Sequence, residues 1–374
     1  MRMMNFIKKR VLFIGSFADN TAGGVVGGQM FACKSLIQSS LSDCTDWVLI
    51  DTTAESNGHI SFITRIRKAL FRLSKFIYHI LFSRIDICLI FTADGFSFLE
   101  KGLASLIGKL FGKKVILAPR SGIIIKDVKD SKLMKIFISY VLDKVDIVIC
   151  QGETWRQFYS QLLVRNFNKL SIIQNWIDTS VYNSNEIVEN KETCNVLFLA
   201  WVDKKKGIFD LIKAASLINS NLSKYHIAGD GLAMEEAKKM VVESGLENQF
   251  IFHGWVKNGN KIKLLQDSDI FVLPSYYEGF PNSLMEAMAC RNAIVATNVG
   301  SIPDLIQHKH NGLLFQAGDI SALKIHLETL MVNSSLRNQL ANAALVSVKD
   351  NNSIQIAVKK FEKIFNSQLE ISSN

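Results

Sequence analysis

Proline and long apolar runs are scarce in this 374-residue sequence. It holds 4 Pro, and no apolar stretch reaches the roughly 18–20 residues that a membrane-spanning helix needs. With 48% apolar residues and 22 Gly, this composition excludes a disordered or collagen-like chain. The 6 Cys include no C-x-x-C pair and no His at metal-ligand spacing, a pattern typical of reduced, buried thiols in a cytoplasm.

The length predicts two domains of roughly 180 residues each. Basic residues precede the first apolar run, as they would in a signal peptide. This run, VLFIG, is short and ends in a polar loop, so we interpret it as a first buried strand.

Charge is divided unevenly between the two halves. Residues 1–185 hold 24 Lys and Arg against 14 Asp and Glu, whereas residues 186–374 hold 19 against 20. The first half is therefore the one expected to meet an acidic surface. A nucleic-acid partner is not expected.

Short apolar runs alternate with helical patterns. This predicts an α/β fold of two doubly wound, parallel-sheet (Rossmann-like) domains facing each other across a cleft. The predicted strands are Val11–Gly15, Trp47–Asp51, Ile87–Phe91, Lys114–Ala118, Ile147–Cys150, Leu170–Gln174, Asn195–Ala200, Tyr225–Ala228, Phe250–His253, Ile270–Pro274, Ala293–Thr297 and Leu313–Phe315. The polar segment 181–193 predicts the boundary, which gives domains at 1–185 and 186–353. A C-terminal helix at 354–370 is expected outside the second sheet, with packing against the first domain as one option.

Ligands of open parallel sheets bind at the carboxyl ends of the strands, so residues that directly follow strands are candidates. The segment SYYEGFPNSLMEAMACR, 275–291, follows a predicted buried strand. Glu286 has a structural interpretation, because Ser283-x-x-Glu286 fits a helix capping box. Glu278 has no evident local partner, which favours a role in binding.

Two further segments follow strands. Three lysines at 204–206 precede a helix; they are either a solvated turn or, in part, a binding site for a leaving diphosphate. The glycine-rich stretch Thr21–Gln29 would allow close backbone approach to phosphate. Asp51 ends the second strand, as in a dinucleotide fold, but no G-x-G-x-x-G is present. Neither a metal site nor a cofactor is predicted.

Together these segments resemble the bacterial retaining glycosyltransferases of the GT-B fold, family 4, which use nucleotide sugars. The resemblance is strongest over 196–331 and is carried by four motifs in register: EGFPNSLME at 278–286 (an E-x7-E motif), GDG at 229–231, GSIPD at 300–304 and NGLL at 311–314.

The resemblance implies that Glu278 contacts the donor sugar, Glu286 the ribose and Lys206 the diphosphate, without a metal ion. The other positions that it implies for substrate are Gly27, Gly28, Arg120, Lys205, Val256, Gly279, Phe280, Pro281, Asn282 and Ser283. It also implies that a sugar is transferred by front-face attack, with retained anomeric configuration, to a saccharide or lipid-linked saccharide. Such transfers occur in the synthesis of cell-surface polysaccharide or lipopolysaccharide.

The sequence departs from the family pattern at two places. Ala200-Trp201 stands where Gly-Arg is usual, so half of the expected Arg–Lys clamp is missing unless Lys204 or Lys205 replaces it. In the loop after the fourth strand, Arg120 stands near the usual position of a His. An inactive partner subunit and a nucleotide-sugar epimerase of the same fold remain alternatives. Donor sugar, base, acceptor, linkage and oligomeric state stay open.

The segment 61–84, SFITRIRKALFRLSKFIYHILFSR, combines apolar and basic residues at helical spacing and contains no acid. This pattern predicts either an interfacial helix on an anionic membrane or an outer helix whose apolar face is core. We favour the membrane, which would place the protein peripherally at the inner face of the cytoplasmic membrane.

Overall fold

The computed structural model describes residues 8–18, 28–53, 61–164, 167–182, 193–218 and 223–370. The elements of the first unit are β1 (Lys9–Gly15), α1 (Gly28–Ile37), β2 (Thr45–Asp51), α2 (Phe62–Phe82), β3 (Ile87–Thr92), α3 (Gly95–Leu110), β4 (Lys114–Pro119), α4 (Ile124–Asp130), α5 (Lys132–Lys144), β5 (Ile147–Cys150), α6 (Glu153–Ser160), β6 (Leu170–Ile172) and the C-terminal helix, which is α14 in chain order (Ile354–Glu370).

The second unit has the same alternation of strand and helix. Its elements are β7 (Cys194–Leu199), α7 (Ile208–Ser216), β8 (Ser223–Ala228), α8 (Met234–Glu243), β9 (Phe250–Gly254), α9 (Asn258–Asp267), β10 (Ile270–Leu273), α10 (Asn282–Ala289), β11 (Ala293–Thr297), α11 (Ile302–Leu305), β12 (Leu313–Phe315), α12 (Ile320–Val332) and α13 (Ser334–Asn351).

Both units are built on six-stranded, all-parallel sheets, which confirms the predicted fold class. The strand orders are β2-β1-β3-β4-β5-β6 and β12-β11-β10-β7-β8-β9. All twelve predicted strands are present, with ends that differ by at most two residues. Central strands such as β3 and β10 are buried along their whole length, because helices cover both faces of the sheet.

Each unit has its own hydrophobic core. By internal packing, residues 1–175 and 354–374 form one unit and residues 176–353 the other. The segment just before the expected boundary groups with the second unit: Trp176 and Ile177 are buried, and the Ile177 N–H donates to the Asn352 carbonyl at 2.9 Å. Helix α14 packs on α1 and places Phe365 beside Trp47.

In the first unit, α2, α3 and α5 form one layer. Right-handed crossovers place these three helices on the face of the sheet opposite α1 and α14. All six cysteines are free, and five of them are buried. No helix in the described ranges has the length and apolarity needed to cross a membrane.

Candidate active site at the carboxyl ends of the second sheet

The topology of the second unit marks a site. Its strand order reverses between β7 and β10, and at such a reversal the loops after the two strands diverge and open a crevice. Lys206 lies in a short 3₁₀ turn after β7, and Glu278 lies in the loop after β10. The two predicted residues therefore flank the position where ligands of this sheet type bind.

Lys206 and Glu278 form an ion pair. The Lys206 Nζ lies 2.7 Å from Glu278 Oε1, and the Ser275 hydroxyl donates to the same oxygen at 2.8 Å. The expectation that Glu278 has no local partner is wrong, because Ser275 is three residues away and Lys206 reaches it from another loop. The Glu278 side chain is 8% exposed and that of Lys206 26%. No described residue donates a hydrogen bond to Glu278 Oε2, which leaves this oxygen available to a ligand.

Glycines let the loops around this pair approach closely. Gly300 has φ +55°, and a Cβ there would lie 1.9 Å from the Glu278 carbonyl oxygen. Gly207 has φ +74°, and its Cβ would lie 2.0 Å from the carbonyl oxygen of Pro274. Only glycine fits both the left-handed conformation and the backbone contact at these positions. The backbone that carries Glu278 is therefore enclosed on two sides.

Glu286 makes contacts that the sequence did not predict. Helix α10 begins at Asn282 without a side-chain cap, so the capping-box interpretation of Ser283 and Glu286 is wrong. Instead, Glu286 Oε1 accepts from Lys261 Nζ at 2.7 Å and from the Tyr182 hydroxyl at 2.9 Å. Burial and the neighbouring Glu286 carboxylate raise the pKa of Tyr182 far above its usual value, so the phenol stays protonated and donates.

The loop between the two carboxylates is tightly packed. Phe280 and Pro281 are buried, whereas Gly279, Asn282 and Ser283 are partly buried. The carbonyl of Gly279 accepts from the N–H of Ser301 at 3.2 Å. Phe280 is thus a core side chain. The groups that the loop can offer to a ligand are its backbone and its polar side chains.

The three lysines of the 204–206 turn have different partners. Lys204 pairs with Glu236 at 3.2 Å on the surface, and Lys205 is exposed, with its backbone held by Asp203 and Tyr276. Only Lys206 reaches Glu278. The structure therefore separates the solvated-turn interpretation, which suits Lys204, from the binding interpretation, which suits Lys206.

Trp201 stands at the position where the family pattern has an arginine. Its ring centroid lies 5.2 Å from that of Trp255, which follows β9, and Trp201 is 37% exposed. Trp201 follows β7 and Trp255 follows β9, so the two rings come from either side of the loop after β8. In that loop, a Cβ on Gly229 would lie 1.8 Å from the Ala200 carbonyl oxygen. Val256, next to Trp255, is partly buried.

The remaining predicted residues belong to the first unit. Gly28 is the exposed first residue of α1, and Gly27 lies outside the described residues. The Arg120 guanidinium lies 4.6 Å from the Phe91 ring and donates to Asn175 Oδ1. Burial lowers the pKa of Arg120 to about 10, so it is still a cation at neutral pH.

Asp51, the residue that suggested a dinucleotide fold, is used locally. Its Oδ1 accepts from the Thr53 hydroxyl at 2.6 Å and from the Phe17 N–H at 2.7 Å. Burial opposes ionisation, but these hydrogen bonds outweigh it and hold the pKa of Asp51 below its usual value. The Asp51 carboxylate therefore stabilises the loops that follow β1 and β2, a local role in place of the ribose contact of a dinucleotide fold.

Sequence reasoning missed Ser275, Lys261 and Tyr182. Ser275 was adjacent to the motif and could have been found as a hydroxyl at i−3 from Glu278. Lys261 sits in an ordinary helical pattern and Tyr182 in a polar segment, so neither gave a signal. Within the described ranges, no group of three or more His, Cys, Asp or Glu could hold a metal ion.

Comparison with known proteins shows which proteins this chain resembles. Residues 183–346 match the family model "Glycosyl transferases group 1". The chain is 27% identical over 220 residues to an N-acetyl-alpha-D-glucosaminyl L-malate synthase of Bacillus anthracis, a match that spans 57% of each protein. It is 26% identical over 265 residues to a 4-alpha-N-acetylgalactosaminyltransferase of Campylobacter jejuni that acts on a diphospho-undecaprenol-linked saccharide, a match that spans 68% of this chain and 70% of the relative.

Two solved structures share the fold over nearly the whole chain. Sucrose-phosphate synthase from Thermosynechococcus elongatus aligns with a TM-score of 0.79 at 15% identity, over 97% of this chain and 100% of the other. HepE from Anabaena, in complex with UDP and glucose, aligns with a TM-score of 0.76 at 15% identity, over 96% and 100%. The two parallel sheets are therefore those of the GT-B fold, and Lys206, Glu278 and Glu286 lie within the residues that match the glycosyl transferases group 1 model.

Proposed function

We propose that this protein transfers a sugar, with retained anomeric configuration, from a nucleotide-diphosphate sugar to a saccharide or lipid-linked saccharide acceptor. The observation that carries the proposal is the Lys206–Glu278 pair at the strand-order reversal of a glycosyl transferases group 1 domain. A buried carboxylate with a free oxygen suits sugar hydroxyls, and a partly exposed ammonium suits a diphosphate.

The reaction needs little beyond positioning and charge. The acceptor hydroxyl attacks the anomeric carbon from the face on which the diphosphate departs, and the bond from that carbon to the diphosphate oxygen breaks. The acceptor proton passes to an oxygen of the leaving diphosphate. Lys206 stabilises the negative charge that develops there, which is the largest contribution expected of a single side chain. The proposed mechanism uses no metal ion or additional cofactor.

Glu278 has a separate role in this scheme. Ser275 and Lys206 fix one of its oxygens, so the other is held in place toward the donor sugar. Preorganisation of this kind costs no rearrangement when the sugar binds. The residue is therefore proposed to orient the sugar so that the anomeric carbon meets the acceptor.

The names of the relatives give a first choice of donor sugar. The Bacillus anthracis enzyme carries an N-acetylglucosaminyl group in its name and the Campylobacter jejuni enzyme an N-acetylgalactosaminyl group. We therefore propose a nucleoside diphosphate N-acetylhexosamine as the donor, and a cell-surface polysaccharide or lipopolysaccharide intermediate as the acceptor class.

An inactive partner subunit is the second candidate, and Trp201 favours it, because the position lacks the arginine of the family pattern. Donor turnover separates the two. The purified chain would be screened by thermal shift against uridine and guanosine diphosphate sugars, and release of the nucleoside diphosphate would then be measured. A transferase stabilised by a donor releases the diphosphate slowly in water and faster with acceptor. Binding without any release would identify the inactive subunit.

A membrane surface is proposed as a further partner. Helix α2 is 21 residues long, yet only Phe76 and Ile80 are buried. The large apolar side chains that α2 leaves more than half exposed are Phe62, Ile63, Leu70, Phe71, Tyr78, Leu81 and Phe82. Helix α2 therefore has a buried apolar stripe, to which the partly buried Leu73 also belongs, and a further apolar surface that is exposed.

The basic residues of α2 complete the interfacial pattern. Arg65, Arg67 and Lys75 are exposed on the helix. Arg72, a fourth basic residue of the helix, makes a two-pronged ion pair with Glu100 of α3 at 2.6 and 2.8 Å, so it adds no net charge to the surface. In the same helix layer, Leu110 and Leu133 are about 80% exposed. We propose that this layer docks on an anionic leaflet at the inner face of the cytoplasmic membrane.

A further inference from the structure

The contacts of Glu286 are asymmetric. Both of its donors, the Lys261 ammonium and the Tyr182 hydroxyl, bind to Oε1, and no described residue donates to Oε2. A carboxylate that served only to neutralise a buried lysine would gain more by sharing donors between its two oxygens, since each oxygen can accept about two hydrogen bonds. The unused oxygen indicates that this carboxylate is held for a ligand.

The three residues come from separate parts of the second unit. Tyr182 lies in the segment that follows Trp176, Lys261 lies in α9 and Glu286 in α10. Tyr182 and Glu286 are 6% exposed, whereas the Lys261 side chain is 26% exposed. These two contacts on one oxygen fix the plane of the carboxylate, and the Lys261 side chain, which makes one of them, is partly exposed.

We infer that Tyr182 and Lys261 are positioning residues that preset Glu286 to accept the two hydroxyls of a ribose. The inference rests on the proposed function, because it takes the ligand to be a nucleoside diphosphate. A vicinal diol offers two O–H donors, and an ionised carboxylate accepts both without a donor of its own to compete. Loss of either positioning residue removes one of the two contacts that orient Glu286, so discrimination between ribose and a sugar without hydroxyls falls.

The test compares two ligands on the full-length chain by isothermal titration calorimetry. The probes are uridine diphosphate and its 2′,3′-dideoxy analogue; the guanosine pair is used if thermal shift shows that the native protein prefers guanosine. Hydrogen bonds to a charged group contribute about 1.5–3 kcal/mol, so the native protein should bind the ribose form about 10- to 100-fold more tightly. Tyr182→Phe and Lys261→Met should each lower that ratio about 5- to 10-fold, mainly through weaker binding of the ribose form.

Controls separate positioning from general damage. Lys263→Met removes an exposed lysine from the same helix and should leave the ratio unchanged, and Lys261→Arg should restore most of it. If Tyr182→Phe and Lys261→Met weaken both ligands equally, they act only on stability and the inference is overturned. If the native protein prefers ribose but the variants keep its ratio, the inference alone fails. If the native protein binds neither diphosphate, the proposed function itself fails.

Discussion

Lys206 and Ser275 meet at a single atom: the ammonium lies 2.7 Å and the hydroxyl 2.8 Å from Glu278 Oε1. Lys206 comes from the turn after β7 and Ser275 from the loop after β10, so the contact joins the two strands between which the order of the sheet reverses. A parallel sheet opens a crevice there and nowhere else along its edge. Topology thus brings Lys206 and Glu278 together, and two hydrogen bonds orient the Glu278 carboxylate.

Replacement of Glu278 by Gln should abolish most sugar transfer. The amide keeps the shape of the side chain but loses the charge that Lys206 faces and one acceptor for sugar hydroxyls, so a loss of about 10²–10³ in kcat is expected. Glu236→Gln is a matched control, because Glu236 pairs with Lys204 in an exposed lysine–glutamate contact nearby. Full turnover by a well-folded Glu278→Gln protein would contradict the assignment.

Among the three adjacent lysines, only Lys206 should matter for catalysis. Lys206→Ala is expected to lower kcat by about 10²–10³, as loss of one transition-state donor does. Lys204→Ala removes a surface pair, and Lys205→Ala an exposed side chain, so both should stay within about threefold of the native rate. Equal damage from Lys205→Ala would mean that Lys205 replaces the arginine missing at Trp201.

Alternation of apolar runs and helical patterns was enough to predict both sheets, since a buried parallel strand is apolar throughout. Glu278 and Lys206 were predictable for a related reason: each directly follows such a strand. The residues that contact the Glu286 carboxylate were not predictable. Lys261 is 25 residues from Glu286 and Tyr182 is 104 residues from it, and periodicity carries no information on which side chains meet across such distances.

The capping-box interpretation was wrong because the sequence does not give the first residue of the helix. Ser283 and Glu286 have the right spacing for a cap, but the helix starts one residue before Ser283, so the serine is already inside the first turn. A shift of one residue at a helix start decides whether a side chain caps the helix or faces another element. The local sequence does not determine at which residue the helix starts.

Gly300 should be far less tolerant of alanine than Gly245. Both have positive φ, +55° and +67°, so alanine at either costs about 1–3 kcal/mol in backbone strain. A Cβ at Gly245 meets nothing within 4 Å, whereas one at Gly300 would lie 1.9 Å from the Glu278 carbonyl oxygen. Chemical denaturation should therefore find the Gly300→Ala protein less stable than the Gly245→Ala protein, and only Gly300→Ala should lower transfer. Equal effects of both substitutions would mean that the Glu278 loop can move aside.

The second unit should lose stability as the pH falls below about 6.5. His226 Nδ1 lies 2.9 Å from His253 Nε2, and burial lowers the pKa of both; for His226 the neighbouring His253 adds to the effect and Asp267 opposes it. Since the unfolded chain takes up protons near the ordinary value of 6.5 and the folded pair does so only at lower pH, folding is progressively disfavoured below 6.5. Urea unfolding at pH 7.5 and 5.5 measures this.

The matching variant replaces His226 and His253 with Gln. It should show a smaller drop in unfolding free energy between the two pH values, because the titrating pair is gone. The same drop in both proteins would assign the pH dependence to other groups and would count against a neutral pair in the folded state.

The α2 surface should bind vesicles that contain anionic lipid more strongly than neutral ones, because each exposed basic side chain near an anionic leaflet contributes about 1 kcal/mol. Replacement of Arg65, Arg67 and Lys75 with Gln should therefore weaken co-sedimentation by about 10²-fold at low salt. Added salt should weaken binding of the native protein, since it screens these charges.

The control for this variant removes the same charge from the other side of the first sheet. Lys359, Lys360 and Lys363 are exposed on α14, which packs on α1 and not in the layer of α2. If net charge alone draws the protein to the vesicle, Gln at these three positions weakens binding as much as Gln on α2. If α2 docks, only the α2 variant weakens vesicle binding. Phe71→Ser should then weaken the part of the binding that resists salt, because Phe71 is 62% exposed and its replacement removes apolar surface that would be buried in the leaflet. Equal binding of the native protein to neutral and anionic vesicles would rule out an electrostatic dock.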